Sequence, residues 1–356
     1  RIKRKLKKNS YCHKYKLQFK QISKELKKTI KMEEKKFYLS NLMVKDPKVL
    51  WKNLNSVLGR RSKDEINSVF DTNGKLIMNK SELANSFNHY FIESVNETVS
   101  SLSESRKSPK FFSLSHSMGL EDTDEIEVVN AINSLKNVSA GIDGIKPQVL
   151  KFLKKELANP LCHLINQMFH TGIYPDIFKS AIVIPINKSG KKNDIRDYRP
   201  ISILTSINKV IEKIIYHRIM NFVNINELLY KRQYGFRGKS NTEVAAVELI
   251  NEIRKNIDNK KKVSLVMMDV QKAFDSVNTE QLLMSLERSG IRGIALNLIK
   301  SYLSDRKQIV KVGNCLSTLK IVKNGVVQGG TLGSLLFLIF INEMSQVPLN
   351  GTLYLY

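Results

Sequence analysis

Apolar residues recur at helical spacing over several stretches of the chain and at strand spacing over a few. Leu17, Ile22, Leu26 and Ile30 stand at near-helical intervals among cations, which predicts a basic helix with a narrow apolar stripe. Leu50, Trp51, Leu54, Val57 and Leu58 predict a helix that starts near Pro47 and is closed by Gly59. Val69-Phe70 and Leu76-Ile77 flank Asp71-Thr72-Asn73-Gly74, a hairpin signature with Asn-Gly at the turn. Ser81 is then expected to cap a helix carrying Leu83, Phe87, Tyr90 and Phe91 on its inner face. Ile126, Val129 and Ile132 follow a cluster of acids (Glu121, Asp122, Asp124, Glu125) that suits the positive end of a helix dipole.

Further along, a helix is predicted over 148–169, bent at Pro160. Ala181 to Ile186 is a β-branched strand that runs into the turn Lys188-Ser189-Gly190-Lys191-Lys192. Ser206 is expected to cap a long helix with Val210, Ile211, Ile214, Ile215 and Ile219, and another helix covers about 242–257. Val263 to Met268 is a short apolar run that predicts a buried strand ending at Asp269. Asn278 should cap the next helix, with Gln281 three residues on. Mainly helices with a few strands make a mixed chain, expected to be α+β.

The same reading divides the chain into four parts. Residues 1–40 form a basic helical arm, with 15 Lys or Arg but three Glu in the first 36 positions. Residues 41–99 form a small mixed unit. Residues 100–118 read as a linker, because eight serines and Pro109 crowd the span 100–117. Residues 119–356 form a larger globular part. The formal charge of +25 argues against an ordinary neutral metabolic enzyme and for a polyanionic partner, nucleic acid first and an anionic membrane surface second. Cys12, Cys162 and Cys315 are too few and too scattered for a disulfide framework or a zinc site. The longest apolar run, Leu332 to Ile341, is about half of the roughly 20 residues that a membrane span needs, and the basic arm lacks an amphipathic aromatic face, so no membrane partner is expected.

Three segments could carry chemistry. Asp269 lies at the carboxyl end of the predicted strand, a place where an acid often holds a metal. Gly325 to Gly333 holds four glycines in nine residues ahead of an amphipathic helix, so the backbone there can approach something closely. Lys188, Lys191, Lys192, Arg196 and Arg199 cluster on or beside a hairpin, an arrangement suited to a triphosphate. Each has a bland alternative: a solvated acid, an ordinary turn into a helix, and a solvated loop.

Their order and spacing favour the sharper reading. Ala140-Gly-Ile-Asp-Gly144, Ile184-Pro-Ile-Asn-Lys188, Asp197-Tyr-Arg-Pro-Ile-Ser202, Gln233-Tyr-Gly-Phe-Arg237, Asp269 to Asp275 and Gly325 to Gly333 together resemble the reverse transcriptases of non-LTR (LINE-type) retrotransposons, especially jockey-like elements. The resemblance implies a right-hand polymerase fold with fingers and a partial palm behind a mainly helical basic extension, and makes 41–99 a link between endonuclease and polymerase regions. It implies RNA-directed DNA synthesis by two-metal catalysis, with two Mg²⁺ ions in the complete enzyme and an RNA template, a DNA primer or target DNA, and dNTPs as partners. On it Asp269 is catalytic and, with the Val270 carbonyl, a metal ligand. Lys188, Arg199, Phe274 and Gln328 would bind the nucleotide, Phe274 as a steric gate against the 2′-hydroxyl. Gln233, Gly235, Phe236, Arg237, Gly329 and Gly330 would contact template or primer. It also implies nuclear action on DNA and a cytoplasmic ribonucleoprotein stage.

The family's Tyr-x-Asp-Asp box is matched only up to Tyr356, and the chain opens at Arg1 without Met, so both ends read as cut and the fragment is expected to be inactive alone. Val327, Gly330 and Ser334 depart from the usual Pro, Ser and Pro. The alternative is a binding remnant of a decayed element that keeps the fold without the chemistry.

Overall fold

The Asn-Gly hairpin forms as the sequence predicts. Strands β1 (Val69–Phe70) and β2 (Leu76–Ile77) pair antiparallel, with Gly74 at φ +80° and the Asp71 carboxylate accepting from the N–H groups of Asn73 and Lys75. The computed structural model describes residues 13–43, 49–51, 53–54, 66–101, 113–188, 193–238 and 240–356. The chain divides into two units, Arg1–Glu65 and Ile66–Tyr356.

In the first unit, helix α1 (His13–Leu42) carries the expected stripe, and Leu17, Ile22, Leu26 and Ile30 are exposed on it. Leu50, Trp51 and Leu54 are helical as predicted; Pro47, Val57, Leu58 and Gly59 lie outside the described residues.

In the second unit, α2 (Lys80–Ser101) follows the hairpin directly. Its cap is Asn79, whose side chain accepts from the N–H groups of Ser81 and Glu82, so the expected Ser81 cap is displaced by two residues. Then come α3 (Glu125–Asn133), α4 (Pro147–Phe152) and α5 (Lys154–Thr171). The single bent helix predicted over 148–169 is thus two helices. The break falls at Leu153 (φ −94°, ψ 19°), and Pro160 lies within α5. Strands β3 (Ser180–Asn187) and β4 (Tyr198–Ile203) form an antiparallel hairpin in which Pro185 faces Pro200. Proline is tolerated there because β3 loses its other neighbour beyond Val183 and β4 lies at the sheet edge.

Helix α6 (Ser206–Ile225) is the longest after α2 in this unit and is capped by Thr205, one residue ahead of the expected Ser206. It is followed by α7 (Thr242–Asp258), α8 (Thr279–Arg288, capped by Asn278 as predicted) and α9 (Gly293–Leu303). Strands β5 (Arg306–Val312), β6 (Cys315–Leu316) and β7 (Lys320–Val322) then lead to α10 (Thr331–Asn342). The sheet order is β4-β3-β5-β6, with β7 also on β5, and β3 and β5 run parallel.

Two cores clamp this sheet. The larger is built on α6, where Val210, Ile211, Ile214, Ile215 and Ile219 are buried in one cluster with apolar residues of α3, α5, α9 and α10. The smaller joins Val69, Ile77, Leu83, Phe87 and Phe91 to Val183, Tyr198, Val310 and Val312. Residues 66–101 are therefore one face of the sheet's packing, and the expected division near residue 99 falls inside this unit. Of the predicted linker, 102–112 lie outside the described residues. Residues 113–118 are docked: the Leu114 and Met118 N–H groups donate to Arg288 and Gly290, and Arg292 donates to Ser113 and Leu114.

Candidate nucleotide and template site

The segment predicted to be a buried strand is not one. Residues 261–270 are extended, have no ladder partner among the described residues and are exposed throughout. Val266, Met267 and Met268 are 75 to 82% exposed. An apolar run of this kind becomes a strand only when neighbours satisfy its backbone and cover both faces, and β3 and β5 pair with each other instead. Asp269 and Val270 are carried on this exposed segment.

The turn that follows is well anchored. Lys272 takes φ +50°, and its carbonyl accepts from the N–H groups of Asp275 and Ser276. The Phe274 carbonyl accepts from Val326 N–H and the Val277 carbonyl from Gly325 N–H, both at 2.8 Å. Lys272 Nζ donates to the Ser94 carbonyl on α2 at 2.7 Å and lies 5.9 Å from the centre of the Tyr90 ring. The Phe274 ring is stacked on Phe337 of α10 (centroids 4.6 Å) and meets the edge of Phe236 at 5.4 Å.

Asp275 is half-buried in the same turn, and burial pushes its carboxyl up to about 6 against the pull of Arg306, Lys272 and Lys188. The hairpin β3–β4 brings its cations to this place. Lys188 is exposed, with Nζ donating to the Arg196 carbonyl, and Arg199 is exposed opposite Ile186. Arg196, in the predicted cluster, is occupied by a forked pair with Asp194 at 2.9 and 2.6 Å. Lys191 and Lys192 lie outside the described residues.

The glycine bend closes the site from the other side. The Gln328 carbonyl accepts from Ser202 N–H of β4 at 2.8 Å, while its side-chain Oε1 is buried without a partner. Gly329 takes φ +124°, and a Cβ there would collide with the Ser202 carbonyl. A Cβ on Gly330 would come within 2.6 Å of Glu212 Oε2. The turn that carries Phe274 is therefore bonded to the start of the glycine bend, and the bend in turn holds Ser202 of the β3–β4 hairpin.

The 233–237 segment is only partly outward. Phe236 is 55% exposed at φ +56°, and Arg237 donates to the Tyr230 carbonyl. Gly235 abuts the backbone of Tyr356. Gln233, expected at the template, is 2% exposed and turns inward to donate to the Gly235 carbonyl. It supports the loop and does not present an amide to solvent.

A buried network beneath the bend was not anticipated. Glu212 of α6 is fully buried, and its carboxylate accepts from Tyr302 Oη at 2.6 Å, Thr331 N–H at 2.8 Å and Leu332 N–H at 3.4 Å. It thereby caps α10, whose first N–H groups point at the anion. Burial raises the pKa of Glu212 in spite of these bonds. Buried Arg306 donates to the Asn324 and Gly325 carbonyls at 3.0 and 2.5 Å. The legible signal was an acid at 212 between Ile211 and the buried pair Ile214-Ile215, on the apolar face of a predicted helix.

Residues 186–356 match the family model for "Reverse transcriptase (RNA-dependent DNA polymerase)". This part of the chain belongs to the reverse transcriptase family. The chain is 30% identical over 280 residues to "Probable RNA-directed DNA polymerase from transposon BS" of Drosophila melanogaster, an alignment covering 76% of this chain and 30% of that protein. It is 31% identical over 220 residues to "RNA-directed DNA polymerase from mobile element jockey" of the same species, covering 61% and 24%. The X-element polymerase of that fly is 29% identical over 216 residues, covering 60% and 24%. The chain thus spans less than a third of the length of these relatives. The jockey-like resemblance read from the motifs agrees with these relatives.

Reverse transcriptases generally use a divalent metal together with a nucleic-acid template and primer. Among the described residues no group of three His, Cys, Asp or Glu side chains could hold a metal ion. Asp269 and the Val270 carbonyl alone do not make the site that two Mg²⁺ ions require. Among the described residues no helix is long and apolar enough to cross a membrane.

Proposed function

We propose that this chain is the nucleotide-gripping and template-guiding part of the RNA-directed DNA polymerase of a non-LTR retrotransposon, comprising the fingers and part of the palm of a right-hand polymerase. The observation that carries the reading is that the Phe274 turn is bonded to the glycine bend, whose Gln328 carbonyl in turn holds Ser202 of the β3–β4 hairpin.

In this reading the exposed cations Lys188 and Arg199 grip the triphosphate of a dNTP. Phe274, backed by Phe337, leaves no room for a ribose 2′-hydroxyl. Gln328, Gly329 and Gly330 lie against the base pair and template, on a backbone that Ser202 and Glu212 hold too closely for a Cβ at either glycine. Phe236 and Arg237 face the template backbone, and Gln233 acts through Gly235. Asp269 supplies a carboxylate to the metals of the complete enzyme. The chain by itself is not expected to extend a primer, because the described residues do not complete a metal site. The element RNA would be copied onto a nicked target DNA in the nucleus, after a cytoplasmic ribonucleoprotein stage.

The test is photolabelling of the 356-residue chain with an azido-dATP, followed by peptide mapping. Labelling near 188–199 or 271–277 that Lys188→Ala and Arg199→Ala each reduce at least tenfold is expected. Labelling that ignores both substitutions would refute the site. The exposed Asp269 also favours a second reading, a remnant that binds nucleic acid without chemistry. A complete element protein that binds RNA but incorporates no deoxynucleotide would support that remnant role.

A further inference from the structure

Next to the 271–277 turn, a cavity of about 70 Å³ lies between α2 and the sheet and reaches Gln328 of the glycine bend. Its walls are mixed. Phe91 and Val95 of α2, Ala181 of β3 and Val326 are apolar. Asn208 of α6, Asp275 of the turn, Arg306 of β5 and Gln328 are polar. Three atoms of these polar side chains, Asn208 Nδ2, Arg306 Nε and Gln328 Oε1, are buried without a partner among the described residues. Asn208 is 1% exposed and Arg306 8%. One such atom could be a local accident of packing. Three around a single space point to a common partner, because a buried polar atom left unpaired is costly.

The bonds these side chains do make hold them where they are. Asn208 Oδ1 accepts from the Tyr174 hydroxyl, and Arg306 Nη2 donates to the Asn324 and Gly325 carbonyls. Asp275 and Arg306 act on each other's charge, yet among the described residues no ion pair joins them. The cavity therefore offers two donors, Asn208 Nδ2 and Arg306 Nε, and two acceptors, Gln328 Oε1 and the Asp275 carboxylate. An anion would face both acceptors. A cation would face Arg306, with Lys179 and Lys307 also in the lining. An apolar molecule would satisfy none of the four groups. Water donates and accepts, and it needs only about 10–15 Å³. About two waters, each making about three hydrogen bonds, meet the four groups and each other.

We propose that this cavity is an internal hydration site whose waters bridge Asp275 to Arg306, Asn208 and Gln328. It joins the turn, the glycine bend, α6 and β5 at one point, where Arg306 already holds the first carbonyls of the bend. Water balances the buried guanidinium against the Asp275 carboxylate without direct contact between them. The site needs only the fold, so it stands apart from the polymerase reading.

The test uses the 356-residue chain in solution. Oxygen-17 relaxation dispersion counts the waters that a protein holds inside for longer than its own tumbling time. Ala181→Val carries two methyl groups into the cavity and leaves every polar group in place. It should lose about two long-lived waters relative to the parent and lower the urea midpoint, because the displaced waters leave their partners unpaired. Should the valine variant fail to fold, Gln328→Met, which removes one acceptor and keeps the shape, should lose about one water. A count unchanged in the folded variants would overturn the proposal, and a raised midpoint would then mark a dry cavity, where filling space or deleting an unpaired acceptor is favourable. A parent count that falls when sodium bromide is added would overturn it in favour of an anion site. Loss of nucleotide labelling at Lys188 and Arg199 would leave this site untouched, and a dry cavity would leave that labelling untouched.

Discussion

Asp275 makes the most direct test of the buried electrostatics under the candidate site. Its carboxyl is held at about 6 in the folded chain, against 3.8 for the unperturbed group. A raised acid favours the folded state while protonated. Its contribution is complete below the unfolded value and is lost as pH rises through about 6. The shift of about two units corresponds to about 3 kcal/mol withdrawn from stability at neutral pH, at about 1.4 kcal/mol per unit. The residue keeps part of its surface in water, which reduces the figure to about 2 kcal/mol. Asp275→Asn removes the titration and retains the shape. Urea denaturation of both proteins from pH 4.5 to 7.5 should show the variant gaining about 1–2 kcal/mol on the parent across that range. A difference that is flat with pH, or a variant less stable at pH 7.5, would refute the assignment of burial as the dominant effect.

Three further outcomes follow from the packing. Glu212→Ala leaves three donors unpaired, two of them buried, and should cost about 3–5 kcal/mol in urea melts, whereas Glu212→Gln, which can still accept from Thr331 and Leu332, should cost about 1–2 kcal/mol. Gly330→Ala drives a methyl group to 2.6 Å from the same carboxylate and should lose about 1–3 kcal/mol, measured the same way. In a complete element polymerase, Phe274→Val should raise ribonucleotide incorporation about 10- to 100-fold relative to deoxynucleotide, and unchanged selectivity in single-nucleotide assays would remove Phe274 as the gate.

What the sequence disclosed and what it withheld differ in physical kind. The β1–β2 hairpin, helix α6 and the Asn278 cap rest on local turn chemistry and periodicity, and they were readable. The caps at Asn79 and Thr205 were missed by one or two residues because neighbouring side chains compete for the same free N–H groups. The run 263–268 has the composition of a strand, but a strand is made by its partner, and composition does not name one. The site residues on the 271–277 turn and glycine bend were found as motifs, whereas Glu212, Tyr302 and Arg306 come together from positions up to 94 residues apart. Gln233 was assigned to the template by resemblance alone, and only packing shows it inward.

Helix α2 has a practical bearing on how this protein is cut for the bench. The recognisable family signature starts at residue 186, yet Phe87 and Phe91 seal one side of the sheet, and Ser94 tethers the Lys272 turn. An expression boundary drawn at the signature would strip that covering, remove most of β3 and expose Tyr198, Val310 and Val312 to water. A correctly assembled fragment should therefore start no later than Ile66.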